Sequence, residues 1–402
     1  MGSRRGMKNE DYMVYLKRIF HPVGQGAFFT EQLVSSSDEK VLYNVVYDCG
    51  SKTTGIRHKI EEEIDGMYDK DHHVNALFLS HFDDDHINYV KYLRTQGYLV
   101  DAKVFIPLLF EEKFLPVTVL YLNYLTLINE LEKDGIKIVW VKMDDGHTTE
   151  QEINIEEKNI DKYIDSGVKL KYEINDIIWY WVPFNIKYKE RIEEFRKRLE
   201  SEDIKLDELC NQDAYVVDNK ALKRICQTLN KDQGDGYGTA INFNSLQLMS
   251  YPASPDYCID YVRETVCDSY FADYFKWNKG YIKYKFHKKE HLYLGSCLYT
   301  GDTSANSPCV WNTLMDKINS YLKNQHLVLF QIPHHGSKHS NDERIVDEER
   351  IYAAFTNFDP DYCQKIYDPN ISLQFYLRRK PLILVTNDDS FKFEECWFLN
   401  KY

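Results

Sequence analysis

The chain reads as an α/β protein of layered sheets, and three observations predict that class. Strand-like and helical runs alternate through the first hundred residues, a very polar turn follows one apolar run, and strand patterning returns at intervals to the end. With 402 residues, 43% of them hydrophobic, the chain can bury a large core. We read 7–402 as a single domain with insertions, and Met1–Gly6 as an addition ahead of a start at Met7.

The elements follow in order. "YLKRIF" (15–20) and "VLYNVVYDCG" (41–50) are strand runs on either side of the glycine turn "VGQGA" (23–27). That turn lacks the G-K-[ST] ending of a phosphate loop, and no helix follows it. A charged helix is expected over about 54–67, then the apolar run "VNALFLS" (74–80). Beyond His86, Ile87, Val90 and Leu93 recur at helical spacing, so "HFDDDH" (81–86) lies at a strand-to-helix junction. Such junctions, outside the carboxyl ends of strands, are where α/β proteins commonly place their chemistry.

From 111 to 236 the texture is mainly helical around short strands such as "VKLKYEI" (168–174) and "DIIWYWVPF" (176–184), and we read this span as an insertion. A second insertion, 274–291, interleaves six lysines with six aromatic residues and is expected to form a basic hairpin. The strands "LYLGSCLY" (292–299), "LVLFQI" (327–332) and "PLILV" (381–385) complete the chain.

Composition excludes some classes. No apolar stretch reaches the roughly 18 residues that cross a bilayer, and "MGSRRGMKNEDY" has no apolar core of a secretory signal. Nine cysteines are scattered and never form C-x-x-C, which argues against a disulfide framework or a thiolate zinc site and points to a reducing, cytoplasmic setting. A net charge of −13 means that any polyanion must be met by a local basic surface or through cations.

Carboxylates and imidazoles crowded into one turn lose solvation unless positive charge lies between them, and a divalent metal supplies it. His81 and Asp83 project from the strand end, whereas the adjacent Asp85 and His86 must diverge at the helix start, so each pair can serve its own cation. One loop cannot complete two sites. Asp302, after a strand and beside Gly301, is placed to bridge two metals about 3.5 to 4 Å apart, and His334 or His335 to finish the second site. The turn at 23–27 is then expected near the metals.

In this order of motifs the sequence resembles the metallo-β-lactamase superfamily, whose hallmark is H-x-[HD]-x-D-H followed by a distant G-D and a distant His. It looks most like the ComEC-type branch, the hydrolase domain of competence proteins: "VGQGA", "YDCGS" (47–51), "HFDDDH", "NFNSLQL" (242–248), "YTGDTS" (299–304) and "PHHGSKHS" (333–340) match in order over 20–340. The resemblance implies a metallo-β-lactamase-like αββα sandwich with a large, mainly helical insertion. It also implies metal ligands at His81, Asp83, Asp85, His86, Asp302, His334 and His335, with catalytic roles for Asp85 and His335. Asp48 and Asn244 would stand behind the ligands and orient them. No histidine occupies the third motif, where Asn242 and Asn244 stand instead.

The expected chemistry is metal-assisted hydrolysis by an activated hydroxide with no protein nucleophile, using two divalent ions, Zn2+ or Mn2+. The oxygen-rich donor set leans toward manganese. The substrate expected from the branch is nucleic acid, DNA favoured, with Lys276, Lys279, Lys283 and Lys285 on its phosphates, and the role that of a stand-alone effector in a bacterial anti-phage or conflict system. A regulatory protein partner is expected on 111–236, and no membrane. The alternatives are a hydrolase of a small ester, lactone or cyclic nucleotide, and a non-catalytic, metal-stabilised scaffold.

Overall fold

The computed structural model describes residues 14–108, 125–144, 149–186, 189–203, 245–254, 258–259, 292–338, 340–360, 367–389 and 392–399, and the fold is given for these. The strands are β1 (Val14–Phe20), β2 (Phe28–Ser35), β3 (Val41–Cys49), β4 (Ala76–Phe78), β5 (Lys103–Pro107), β6 (Lys137–Val141), β7 (Glu152–Asn154), β8 (Tyr163–Ile164) and β9 (Lys169–Ile174). They continue as β10 (Ile177–Phe184), β11 (Gln247–Pro252), β12 (Cys258–Ile259), β13 (Leu292–Tyr299), β14 (His326–Gln331), β15 (Ile351–Asn357), β16 (Leu382–Val385) and β17 (Phe393–Leu399).

These strands form two mixed sheets. One has the order β12-β17-β1-β2-β3-β4-β5-β6-β8, the other β16-β15-β14-β13-β11-β10-β9-β7. Each combines an antiparallel part with a parallel run, β3 through β6 and on to β8 in the first sheet and β13 through β16 in the second, where β7 also runs parallel to β9.

Side-chain alternation along the strands builds the layers, because successive residues of a strand point to opposite faces. Val45 and Tyr47, Ala76 and Phe78, Phe105 and Val139 face the second sheet, where they meet Trp181, Cys297, Tyr299, Ala353 and Phe355. The intervening Val46, Leu77, Val104 and Ile138 face outward, under Ile60 and Ile64 of the helix Arg57–Met67 and Leu93 of Val90–Thr95. On the far side Val182, Leu298, Phe330 and Ala354 pack against Val310, Leu314 and Ile318 of the helix Pro308–Tyr321 and Phe375 of Pro369–Leu377. Helix, sheet, sheet, helix: the architecture is the αββα sandwich expected.

One detail differs from the reading of the sequence. Within 111–236, strands β6 to β10 belong to the two sheets themselves, so the described helical part is confined to Leu125–Lys133 and Lys189–Ser201. The short strands read at 168–174 and 176–184 form as β9 and β10, where the aromatic and β-branched alternation of "IIWYWVPF" favours a strand. The rest of that span, and 274–291 with Lys276, Lys279, Lys283 and Lys285, lie outside the described residues. Among those described, no helix is long and apolar enough to cross a membrane.

A polar knot pins the sheets together. Arg18 of β1, fully buried, donates to Glu31 of β2 at 2.7 Å, to Glu395 of β17, and to the Gly295 carbonyl of β13 at 3.0 Å. Glu31 also accepts from Trp181 Nε1 and Ser250 Oγ, each at 2.6 Å, and from Tyr299 OH at 2.8 Å, all in the opposite sheet. Removing one member of such a network strands the others without solvent. Arg18→Met is expected to destabilise the fold by about 3–5 kcal/mol, read as a lowered urea midpoint.

His21, buried at the end of β1, lies 3.1 Å from Glu63 and 2.9 Å from Thr30 Oγ1. Burial pushes its pKa below the ordinary value despite Glu63, and although burial opposes it, Glu63 is held down at about 2 by His21 and Lys392. Both groups bind fewer protons folded than unfolded, so stability falls with acidification: first as pH drops below about 6.5, where unfolded His21 protonates, then below about 4.3 for Glu63. His21→Gln should flatten the fall in melting temperature between pH 7 and 5, by at most the ~1.4 kcal/mol per pH unit of one proton.

Candidate metal centre

Four loops meet at the carboxyl ends of β3, β4, β13 and β14. The loop after β4 carries Ser80 and His81, then Asp83 ahead of a single helical turn, Asp84–Ile87, that holds Asp85 and His86. Asp48 comes from the end of β3, Asp302 from the turn after β13, and His334 and His335 from the turn after β14. Gly301 has φ +57°, and a Cβ there would lie 2.6 Å from Ser80 Cβ, so only glycine lets the Asp302 turn come this close. Asp48, His334 and His335 themselves hold left-handed backbone, at φ 54°, 51° and 53°. That conformation is costly for residues with a Cβ and persists where the surroundings enforce it.

The Asp302 carboxylate is the hub. His86 Nε2 and His335 Nε2 lie 3.1 and 3.7 Å from its Oδ1, and His81 Nε2 and His334 Nε2 lie 3.7 and 3.6 Å from its Oδ2. Asp85 Oδ2 is 3.5 Å from His335 Nε2, and Asp83 Oδ2 is 3.9 Å from His81 Nε2. His81, His86, Asp85, Asp302 and His335 are buried, whereas the side chains of Asp83 and His334 are 33% and 22% exposed and form the rim. Both histidines of the "HHGS" motif therefore face Asp302, from opposite sides of its carboxylate.

A second ring of contacts orients these side chains. Ser80 N–H and Oγ–H donate to the two oxygens of Asp48 at 2.7 and 2.6 Å. His86 Nδ1 lies 2.8 Å from Asp48 Oδ2, and His81 Nδ1 lies 2.9 Å from Ser80 Oγ. With each Nδ1 so engaged, each Nε2 is turned into the cluster. His334 Nδ1 is steadied by Ser340 Oγ at 2.8 Å. The Asp302 N–H donates to Ser245 Oγ at 3.2 Å; Asn244, the neighbour expected to help orient ligands, and Asn242 fall outside the described residues.

The electrostatics are those of a crowded, dry site. Burial, helped by His86, drives the His81 pKa down to about 3, and burial also lowers His334. Against burial, Asp302 and Asp48 hold the His86 pKa well above its ordinary value. Against burial, too, the neighbouring imidazoles keep Asp85 and Asp302 below the usual carboxylate range. Burial raises Asp83, reinforced by Asp85 and Asp302.

The donor set fits a divalent cation. Among the described residues His81 Nε2, His86 Nε2, His335 Nε2 and Asp302 Oδ1 are buried without a hydrogen-bond partner, a condition that costs about 1–3 kcal/mol per group if nothing else satisfies it. Two sets of three ligand atoms, from His81, His86 and Asp302 and from Asp85, His86 and His335, each lie within 4.8 Å of one another. Mixed imidazole and carboxylate donors are the chemistry of zinc and manganese sites.

Three contributors escaped the reading of the sequence: Ser80, Ser245 and Lys52. Lys52 Nζ donates to Asp85 Oδ1 at 2.6 Å. Serines and a lone lysine are too common to be picked out singly, although Lys52 does follow directly on the "YDCGS" motif.

No family model matches the chain, and no curated protein matches it. Among solved structures it is similar to the metallo-β-lactamase fold protein YhfI from Bacillus subtilis, with a TM-score of 0.21 and 12% identity over 42% of this chain. The match spans 53%, about half, of that protein's length.

Asp48→Asn keeps the shape but removes the charge that holds His86 and Ser80. Calorimetric titration with Mn2+ or Zn2+ should show a loss of affinity of about 10–100-fold, the usual effect of removing a partner behind a metal ligand.

Proposed function

We propose that the chain is a metal-dependent hydrolase whose substrate is a phosphodiester of nucleic acid. The observation that carries the hydrolase reading is the sharing of one buried carboxylate, Asp302, between imidazoles on both of its oxygens. In this reading Asp85, His86 and His335 would hold one divalent cation, His81, Asp83 and His334 would offer donors for a second, and Asp302 would serve as a ligand between the two groups. Such cations polarise the scissile group and bring the pKa of water toward neutrality.

The protein's own part is positional and protonic. Asp48 and Ser80 fix the imidazoles, burial keeps competing solvent from the cluster floor, and Asp85 with His335, 3.5 Å apart, would act by holding the cation that lowers the pKa of the attacking water. No serine, threonine or cysteine is needed as a nucleophile.

The nuclease assignment rests on the ComEC-type order of motifs and the manganese preference on that order and on the carboxylates of Asp83, Asp85 and Asp302, and an anti-phage or conflict effector is the biological role we attach to them. Purified protein incubated with single- and double-stranded DNA and with RNA, plus Mn2+ or Zn2+, is expected to cleave at least one of them. Asp302→Ala should fall to background. Cleavage that persists in this variant rejects the mechanism; turnover of a small ester or lactone with no polymer cleavage moves the assignment to a small-molecule hydrolase. Charge reversal at Lys276, Lys279, Lys283 and Lys285 separates the two, since it should abolish polymer cleavage and spare a small ester.

A further inference from the structure

Lys52 has no place in the ligand set, yet the fold takes trouble to hold it there. The loop at 50–53 interlocks with the 23–27 turn against the backbone of Asp85. Lys52 N–H donates to Gln25 O at 2.7 Å, Ser51 Oγ to Val23 O at 2.7 Å, and Ala27 N–H to Asp85 O at 3.0 Å. A Cβ at Gly26 would lie 2.3 Å from Gly50 O, and one at Gly50 would lie 2.5 Å from the Asp85 carbonyl carbon, so both glycines are required for this approach. Thr53 Oγ1 donates to Asp359 at 2.7 Å and accepts from Gln25 N–H at 2.9 Å, closing the far side.

The ammonium on this platform divides the Asp85 carboxylate. Lys52 takes Oδ1, and Oδ2 is left toward His335 and the cluster. The Lys52 side chain is 43% exposed, and the Asp85 bond uses one of its three N–H donors, with no other partner among the described residues. Its charge is felt by Asp83 and Asp302 as well as Asp85. The carboxylates of Asp83, Asp85 and Asp302 repel an anion, and the imidazoles between them belong to the ligand set. Cations held there would offset that charge, and Lys52 adds a further positive charge, with N–H donors to spare, beside Asp85.

We propose that Lys52 is a specificity residue: its ammonium donates to a non-bridging oxygen of an anionic phosphoester held at the cluster and so selects phosphoesters over neutral esters and lactones. This rests on the metal-hydrolase reading above and narrows its substrate class. A neutral ester offers no negative oxygen to repay the partial desolvation of the ammonium, whereas a phosphate oxygen makes a charge-assisted hydrogen bond.

The test uses the full chain loaded with Mn2+, inorganic phosphate as the probe, and elemental analysis of bound metal on every variant. Lys52→Gln is expected to weaken phosphate by about 10-fold or more at unchanged manganese content, and Lys52→Arg, which keeps the charge, to restore most of it. A second arm repeats the titration with bis(p-nitrophenyl) phosphate and a short single-stranded DNA under non-cleaving conditions: loss on both assigns any phosphoester, loss on DNA alone a polymer. Phosphate affinity equal to wild type in Lys52→Gln with metal retained overturns the proposal. Loss of manganese from that variant also overturns it, since Lys52 would then serve only to place Asp85. Wild-type protein that takes up no manganese brings down the metal reading itself, a failure visible before any phosphate is added.

Discussion

The burial of the Asp302 carboxylate among four imidazoles is the constraint on which the rest of the site depends. A carboxylate inside a protein is expensive unless paired, and here half of the pairing, His81 and His86, comes from more than two hundred positions away in the chain. Gly301 must lack a side chain, Asp48 and both "HHGS" histidines must accept left-handed backbone, and the orphaned Nε2 atoms need a positive guest. Each feature is unfavourable alone, and each is relieved by the same arrangement.

The scaffold supplies the stiffness that this requires. The parallel runs β3–β4 and β13–β14 end side by side, so loops from two different sheets converge above one core. Arg18 and its two glutamates lock the sheets beneath them. Loops held at both ends by buried strands lose little further entropy when they order around a ligand, and this is why strand ends suit sites whose donors must be placed closely.

Much of the site was legible because its residues come in short, polar motifs at the ends of apolar runs. The cluster at 81–86, Asp302 and the paired histidines each break a hydrophobic pattern abruptly, and the structure brings all of them together. Lys52, Ser80 and Ser245 break no pattern, so their roles emerge only from distances. Of the strands within 137–184, β9 and β10 were legible from their alternation, whereas β6, β7 and β8 were submerged in a charged, helix-rich stretch, where local propensity competes with pairing partners distant in sequence.

The sequence by itself determined the class of layered α/β fold, the strand-to-helix junction that bears the polar cluster, and the chemical kind of the donors, since periodicity and residue type are local properties. Tertiary structure alone decided that His334 and His335 approach opposite oxygens of Asp302, that Asp48 works through Ser80 and His86, and that Lys52 caps Asp85. Those relations depend on how parallel strands from two sheets are set against each other, and the spacing of residues along one chain carries no measure of that distance.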